Sequence, residues 1–217
     1  VMGHAHSLEH LGAIAERVMA KDYIQTKRFQ NRDIVAGVKN YALTQSARPV
    51  FDQYAAQTFL DNVLRGGLPI SLETQDGRIA FNVFSRKHGD PERDYNFFLL
   101  SPTYFSQGNG NYRDVNQNRR NDVWFNTDVS DTSIVAFFSL SQADGYNPLV
   151  VKGMSFFPED AAAMRKILRE SLTGDISVLE PLLEKGFQPG ELLAVLDREG
   201  LKLKIAPQVF LNKLLSI

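Results

Sequence analysis

The chain has 217 residues and a formal net charge of −1, with 24 Lys and Arg against 25 Asp and Glu. This balance argues against a general nucleic-acid binder or membrane-surface binder. The sequence has no cysteine, which excludes disulfides, thiolate metal sites and a cysteine nucleophile and fits a reducing compartment, so we expect a cytoplasmic protein. It has no apolar run near the roughly 20 residues that a membrane-spanning helix needs. The start at Val1 favours a piece of a longer polypeptide.

Three helices are predicted before the first change of pattern. Apolar residues recur at helical spacing over residues 8–19, after Ser7 as a capping residue, and again from Asp33 to Ala47 and from Val50 to Leu64. Gly66 and Gly67 follow the third segment, and glycine readily adopts the left-handed conformation that ends a helix. The sequence therefore begins as a helical protein.

A small β element is predicted next. Residues 68–72 are short and extended, residues 75–77 supply a turn, and residues 78–85 alternate around Ile79, Phe81 and Val83. Residues 86–93 are charged and predict a loop, and residues 97–100 form a short apolar run. The β element is thus bounded by helical sequence before it and polar sequence after it.

The C-terminal part returns to helical patterns. Residues 133–140 are apolar enough for a helix, and further helices are predicted after Pro158, over residues 177–184 and 189–198, and over residues 207–215. The fold class is mainly α, with a small β element and a helical C-terminal subdomain. We predict two parts, a catalytic region over residues 1–150 and the helical subdomain over residues 151–217.

The segment 104–122 carries the densest set of polar groups. It contains five Asn and two Gln, and it has aromatic residues at Tyr104, Phe105 and Tyr112, with Trp124 just beyond it. Amide, guanidinium and carboxylate groups form the paired hydrogen bonds that suit adjacent sugar hydroxyls, and aromatic rings suit sugar faces. A helix starting near Asp114 would place Asp114, Asn118 and Asp122 on one polar stripe. A solvated surface segment is an equally valid interpretation of the composition.

One part of this segment resembles a known motif. The run Tyr104-Phe105-Ser106-Gln107-Gly108, then Tyr112-Arg113-Asp114 and Gln117, is similar to the motif of the inverting glycoside phosphorylases related to cellobiose and chitobiose phosphorylase. The resemblance covers about a dozen residues, and the sequence departs from it at Asn118, where the family usually has Asp. It implies an α/α-barrel catalytic domain, of which this chain would be a part. It also implies Asp114 as general acid, with Arg113 and Gln117 in the sugar site, where Tyr112 and Trp124 are further candidate substrate-binding residues.

The implied activity is inverting cleavage of a glycosidic bond in an oligosaccharide or disaccharide. Inversion needs one carboxylic acid for the leaving oxygen and a nucleophile on the opposite face of the sugar. In a phosphorylase that nucleophile is inorganic phosphate, with no other cofactor, whereas a hydrolase needs a base, for which Asp122, Asp94 and Glu92 are all candidates. Phosphorolysis and hydrolysis both remain open, as does a non-catalytic glycan-binding or structural module.

Other signals are weaker. His4, His6 and His10 follow the pattern H-x-H-x-x-x-H, in which His6 and His10 could lie one helical turn apart and hold a metal. A frayed terminus with exposed histidines explains the pattern better, so we predict no metal site. Arg119 and Arg120 beside aromatic residues are too small a patch to predict nucleic-acid binding. Gly108 and Gly110 lack the rest of a nucleotide-binding fingerprint.

Overall fold

The computed structural model of the protein describes residues 8–85, 100–101 and 103–217, without the side chains of residues 9, 10 and 13. Several predicted features lie outside this range: the Ser7 cap, the loop 86–93, most of the run 97–100, and the candidate bases Glu92 and Asp94. The histidine set also lies outside it, since His4 and His6 are not described and His10 is described in its backbone alone. The described chain divides into two compact units, Val1–Leu60 and Asp61–Ile217.

The first unit contains α1 (Leu8–Met19), α2 (Tyr23–Asn40) and most of α3 (Pro49–Gly66). The predictions for α1 and α3 are confirmed, but α2 begins ten residues before the predicted Asp33 and ends before the predicted Ala47. The early half of α2 is rich in exposed Gln, Lys and Arg, which are good helix formers without apolar periodicity. After α2, Thr44 and Ser46 hydrogen-bond to Asp52 in the first turn of α3, and this turn replaces further helix.

A β-hairpin opens the second unit, as the sequence predicted. Strands β1 (Leu68–Thr74) and β2 (Gly77–Val83) pair antiparallel, with Leu68 opposite Val83 and Thr74 opposite Gly77. Leu72, Phe81 and Val83 are fully buried. Gly67 precedes the hairpin with φ +89°, in the left-handed region that glycine tolerates.

Short elements follow the hairpin. They are β3 (Gly110–Asn111), α4 (Tyr112–Arg119), α5 (Asp122–Phe125), α6 (Thr132–Ser139) and β4 (Val150–Val151), and β3 pairs antiparallel with β4. The prediction of a helix over residues 133–140 is confirmed by α6. The β3–β4 pair was not predicted, because two residues per strand leave no periodic pattern to detect.

The C-terminal helices are α7 (Ala161–Ser171), α8 (Glu180–Glu184), α9 (Pro189–Arg198) and α10 (Pro207–Leu215), with β5 (Leu172–Thr173) paired to β6 (Lys202–Leu203). Asp160 caps α7 by accepting hydrogen bonds from Ala162 N and Ala163 N. The apolar faces of these helices, together with Leu179 just before α8, form a core. Its fully buried members include Leu168, Leu179, Leu183, Leu192, Phe210 and Leu211. The fold class is thus mainly α with a small β element, as predicted.

Helix α10 lies along the free edge of β1. Gln208 Nε2 donates to Ser71 O at 2.8 Å, Asn212 Oδ1 accepts from Glu73 N at 3.2 Å, and Gln75 N donates to Leu215 O at 3.1 Å. These bonds satisfy the backbone groups that an edge strand otherwise leaves open. The predicted division of the chain at residue 150 stays a prediction. Helix α10 belongs to the predicted C-terminal part, and it contacts the hairpin of the predicted N-terminal part.

No helix in the described ranges is both long and apolar enough to cross a membrane.

Two glycines of the hairpin provide a matched test of its packing. A Cβ at Gly67 would lie 2.7 Å from Asn82 Cβ and 2.9 Å from Asn82 O, whereas a Cβ at Gly77 (φ +115°) would meet nothing within 4 Å. Gly77→Ala should cost about 1–2 kcal/mol through backbone strain alone, and Gly67→Ala should cost a further 1–3 kcal/mol or so through overpacking. Urea unfolding measures both, and equal losses would show that the contact between Gly67 and Asn82 is not tight.

Candidate functional site

Residues 105–107 of segment 104–122 are packed into the protein, whereas Tyr104 and Asn109 on either side are exposed. Phe105, Ser106 and Gln107 are buried. A Cβ at Gly190 would lie 2.8 Å from both Phe105 O and Ser106 Cα, so the loop lies directly against the start of α9. The glycine at position 110 serves packing as well, because a Cβ there would lie 2.5 Å from Val115 Cγ1. The buried residues 105–107 are therefore not a solvated loop.

The end of β2 fixes this loop through its backbone. Phe84 N donates to Ser106 O, and Gly108 N donates to Ser85 O, both at 2.7 Å. Phe84 has φ +64°, a costly conformation for an aromatic residue, and its ring meets that of Tyr104 edge-on at 5.5 Å. The surrounding contacts hold Phe84 in this conformation.

Gln107 joins three parts of the second unit. Its Nε2 donates to Asn82 O at 3.2 Å, and its Oε1 accepts from Met154 N at 2.7 Å. The neighbouring Asn109 uses its Oδ1 to accept from Gly153 N. These amides therefore connect β2, the site segment and the chain after β4.

Helix α4 carries the residues of the motif. Asn111 caps it by accepting from Arg113 N at 3.0 Å, which explains why the helix begins at Tyr112 instead of near Asp114. Val115 is fully buried, while Arg113 and Gln117 are exposed on the opposite side. Asp114 lies between these faces with its side chain 18% exposed, and its Oδ1 is 3.4 Å from Arg113 Nε.

Gln117 is a helical neighbour of both Arg113 and Asp114, because residues three and four apart lie side by side on a helix. Asp114 and Arg113 are joined by their own contact, with Asp114 Oδ1 3.4 Å from Arg113 Nε. The side chain of Gln117 has no hydrogen bond among the described residues. Asp114 lies in the first turn, where a carboxylate is also favoured by the helix dipole, so its position has a structural reason of its own.

The predicted single stripe of Asp114, Asn118 and Asp122 is wrong. Helix α4 ends at Arg119, and Asp122 begins the separate helix α5. Asn118 turns back on its own helix, with Nδ2 donating to Asp114 O at 2.7 Å. The break at residues 120–121 redirects Asp122 into the protein, so it does not extend the surface of α4.

The two aromatic candidates have different surroundings. The ring of Tyr112 meets Phe137 of α6 edge-on at 5.5 Å, and its hydroxyl lies 3.5 Å from Phe137 O. Trp124 on α5 is 81% exposed. Trp124 is therefore presented at the surface, whereas Tyr112 fastens α4 to α6.

Asp122 is the buried carboxyl group of the segment. It is 8% exposed, and its Oδ2 accepts a hydrogen bond from Asn82 Nδ2 at 3.0 Å. Burial raises the pKa of Asp122 to about 7, against the opposing effects of the Asn82 hydrogen bond and the Arg119 charge. The carboxyl group of Asp122 therefore titrates near neutral pH.

Arg119 lies beside Asp122 at the end of α4. Its Nε donates to Gly66 O at 2.8 Å, and its Nη2 donates to Ser85 Oγ at 3.0 Å. Burial lowers the pKa of Arg119 to about 10, while the charge of Asp122 acts in the opposite direction. The guanidinium therefore stays charged and ties α4 to both ends of the hairpin.

Asn82 and Ser85 were missed by the sequence-based interpretation. Both are buried. Asn82 donates a hydrogen bond to Asp122 of α5, and Ser85 accepts one from Arg119 of α4. A signal was present at Asn82, since it is a polar residue within the apolar strand sequence Ala80-Phe81-Asn82-Val83. A buried amide in such a strand needs a partner.

Comparison with known proteins adds no assignment: no protein-family model, no curated protein and no solved structure matches this chain.

The raised pKa of Asp122 makes stability depend on pH. The folded chain keeps the Asp122 proton to higher pH than the unfolded chain, so stability should fall as pH rises from about 4 through about 7 and then level off. The full effect is on the order of 4 kcal/mol. Asp122→Asn keeps an acceptor for Asn82 without ionising, so it should remove this slope and be the more stable protein at pH 8.

Urea unfolding between pH 4.5 and pH 8.5 measures this difference. Asp76→Asn, in the exposed turn of the hairpin, is the matched control and should behave as the wild type does. An unchanged slope in Asp122→Asn would contradict the raised pKa of Asp122.

Proposed function

We propose that this chain is part of a carbohydrate-active enzyme that cleaves a glycosidic bond with inversion, by phosphorolysis or hydrolysis, with Asp114 as general acid. The observation that carries it is the surface of α4, where Asp114, Arg113 and Gln117 of the motif are adjacent. Arg113 and Gln117 are exposed and offer paired hydrogen-bonding groups of the kind that sugar hydroxyls require. Asp114 is mostly shielded by its neighbours yet retains surface access.

The ion pair of Asp114 is compatible with this role. Its partner, Arg113, is the adjacent residue and has a side chain that is 75% exposed, so the pair is a surface contact with little stabilising effect. A substrate can displace such a contact at small cost. The side chain of Trp124 is exposed on the next helix, where its ring is available to a sugar face.

The α/α barrel and the remainder of a larger chain belong to the same proposal. Helix α6 is apolar, with the sequence Thr132-Ser-Ile-Val-Ala-Phe-Phe-Ser139, yet it has no buried residue. Exposed apolar surface of this kind is typical of an interface. The barrel would cover Ile134, Val135 and Phe138 with further helices of the same polypeptide.

Replacement of the proposed acid tests the activity. In the full-length protein that contains this chain, Asp114→Asn should lower the release of sugar from a disaccharide panel, including cellobiose and chitobiose, by about 10²–10⁴-fold, the usual contribution of a general acid. Sugar binding should persist, because the amide keeps the shape of the side chain. Asp76→Asn is the control and should keep full activity, whereas full activity in Asp114→Asn would end the acid assignment.

The reaction products identify the nucleophile as phosphate or water. Phosphorolysis releases a sugar 1-phosphate and depends on added inorganic phosphate, whereas hydrolysis proceeds in phosphate-free buffer and releases reducing sugar alone. Asp122 is the candidate base for hydrolysis that lies within the described residues, and its burial disfavours that role because water would have to reach it. The products therefore decide between phosphorolysis and hydrolysis.

A second candidate is a non-catalytic glycan-binding or structural module. It is favoured by how the amides of the segment are used, since Gln107, Asn109, Asn111 and Asn118 all hydrogen-bond to backbone within the chain. Calorimetry against the same glycan panel, combined with product analysis, distinguishes the two. Binding that Trp124→Ala weakens, without product under any phosphate condition, would support the module over the enzyme.

A further inference from the structure

The first part of helix α2 is not covered by the rest of the described protein. Residues 24–34 are all exposed, and Val38 is the buried residue of this helix. A helix of a globular protein ordinarily buries one face against its neighbours. The first part of α2 therefore supports no core of the first unit, and its side chains are free to contact a partner.

One side of α2 is basic. Arg28, Arg32 and Lys39 lie within about 40° of one another around the helix axis, because residues four and seven apart recur on the same side. Asp33, the acidic residue of α2, lies about 100° from Arg32. We call the side of α2 that carries Arg28, Arg32 and Lys39 the basic face. The chain as a whole is nearly neutral, but this face carries no acidic residue of its own helix.

The two arginines of the basic face are available to an anion. Arg28 has no ion pair with any described residue. Arg32 Nε lies 3.8 Å from Asp33 Oδ1, and these side chains are 71% and 73% exposed, so the pair has little stabilising effect. The Arg32 guanidinium also lies 4.9 Å from the centroid of the Phe29 ring, which restricts its position without neutralising its charge. An anion can therefore bind both arginines without breaking a strong ion pair.

A cavity of about 510 Å³ lies on the basic face, and its volume is in the range of pockets that hold small ligands. Its lining combines cations, amides that both donate and accept hydrogen bonds, and an aromatic ring. These three kinds of group fit the phosphate, the base edge and the base plane of a nucleotide. The described lining residues are Gln25, Arg28, Phe29, Asn31, Arg32 and Val35.

The basic face continues beyond the cavity. Lys39 follows Arg32 by seven residues, which is about 10 Å along the helix axis. A strand with repeated phosphates reaches both the cavity and Lys39, whereas a single phosphate does not. Anionic lipids and acidic peptides also carry repeated charges, but they lack planar bases for the amides and the ring. The combination of groups therefore favours nucleic acid over a lipid surface or an acidic protein segment.

We propose that the basic face of α2 binds a single strand of nucleic acid, with phosphates on its cations and a base in the cavity. Arg28 and Arg32 contact phosphate oxygens, and the amides of Gln25 and Asn31 contact the edge of the base. This binding goes beyond the proposed cleavage of a glycosidic bond and does not depend on it.

Fluorescence anisotropy of a labelled oligouridylate of about twelve nucleotides tests the proposal, in the full-length protein that contains this chain. The double variant Arg28→Gln, Arg32→Gln should bind at least about tenfold more weakly, because two charge-assisted contacts are lost. Its plot of log affinity against log salt concentration should be shallower by about 1.4, or about 0.7 for each lost phosphate contact. Glutamine is a good helix former, so the far-ultraviolet circular dichroism should not change.

A matched control removes the same charge from the first unit outside the basic face. Lys27 lies about 100° from Arg28 on α2 and donates to Gln30 Oε1 at 3.0 Å, and Arg48 is exposed before α3. The double variant Lys27→Gln, Arg48→Gln should bind the oligouridylate within about twofold of the wild type, with the wild-type salt dependence. Equal losses in the two double variants would show that only net charge matters and would overturn the proposal.

Competition identifies the class of anion. Unlabelled oligouridylate should displace the probe at least about tenfold better than polyglutamate, or than phosphatidylcholine vesicles with about 30% phosphatidylserine, at the same concentration of charge. Equal competition by either would assign the basic face to an acidic protein or to a membrane surface instead. Absence of oligouridylate binding by the wild type at about 50 mM salt, where phosphate contacts are strong, would also overturn the proposal.

Discussion

The hydrogen bond between Asn82 and Asp122 is the contact that holds the end of the site segment against the hairpin. It joins the buried face of the hairpin to the point where the chain leaves α4 and enters α5. A lone carboxyl group at this depth is costly, so the protein surrounds it with groups that are themselves fixed: Gln107 on the carbonyl of Asn82, and Arg119 on Gly66 and Ser85. Each of these bonds joins segments far apart in the sequence. The position of the site segment follows from this buried network more than from the conformational preferences of the segment itself.

This arrangement explains why the helices and the hairpin were predictable while the site was not. Helical patterns identified α1, α3, α7, α9 and α10, and the apolar character of residues 133–140 identified α6. The turn at residues 75–77 with its flanking alternation identified the hairpin. The start of α2 escaped because its exposed polar residues carry no pattern. The break between α4 and α5 escaped because it depends on the burial of Asp122 against Asn82, 40 residues away, and no local signal encodes such a contact.

The amide-rich composition of the site segment has two physical origins that composition alone does not separate. One set of side chains substitutes for missing backbone partners, as when Asn111 caps α4 and Gln107 bridges Asn82 and Met154. Another set, represented by Gln117 beside Arg113, faces outward on α4. The first set accounts for the density of amides without any ligand. The second set is smaller, and it alone bears on recognition of a sugar.

The two aspartates of the segment illustrate how environment divides similar groups into different roles. Asp114 lies in the first turn of α4, where it is paired with the exposed Arg113 and favoured by the helix dipole. Asp122 lies eight residues later, buried and with no ion pair to a cation among the described residues, and burial raises its pKa to about 7. A raised pKa is a common mark of a catalytic acid, yet Asp122 is 8% exposed and accepts a hydrogen bond from Asn82 of the hairpin. The segment thus carries one carboxyl group at the surface of α4, next to the side chains proposed to bind a sugar, and one that joins α5 to β2. The position of Asp114, and not a raised pKa, is what favours it as the proposed acid.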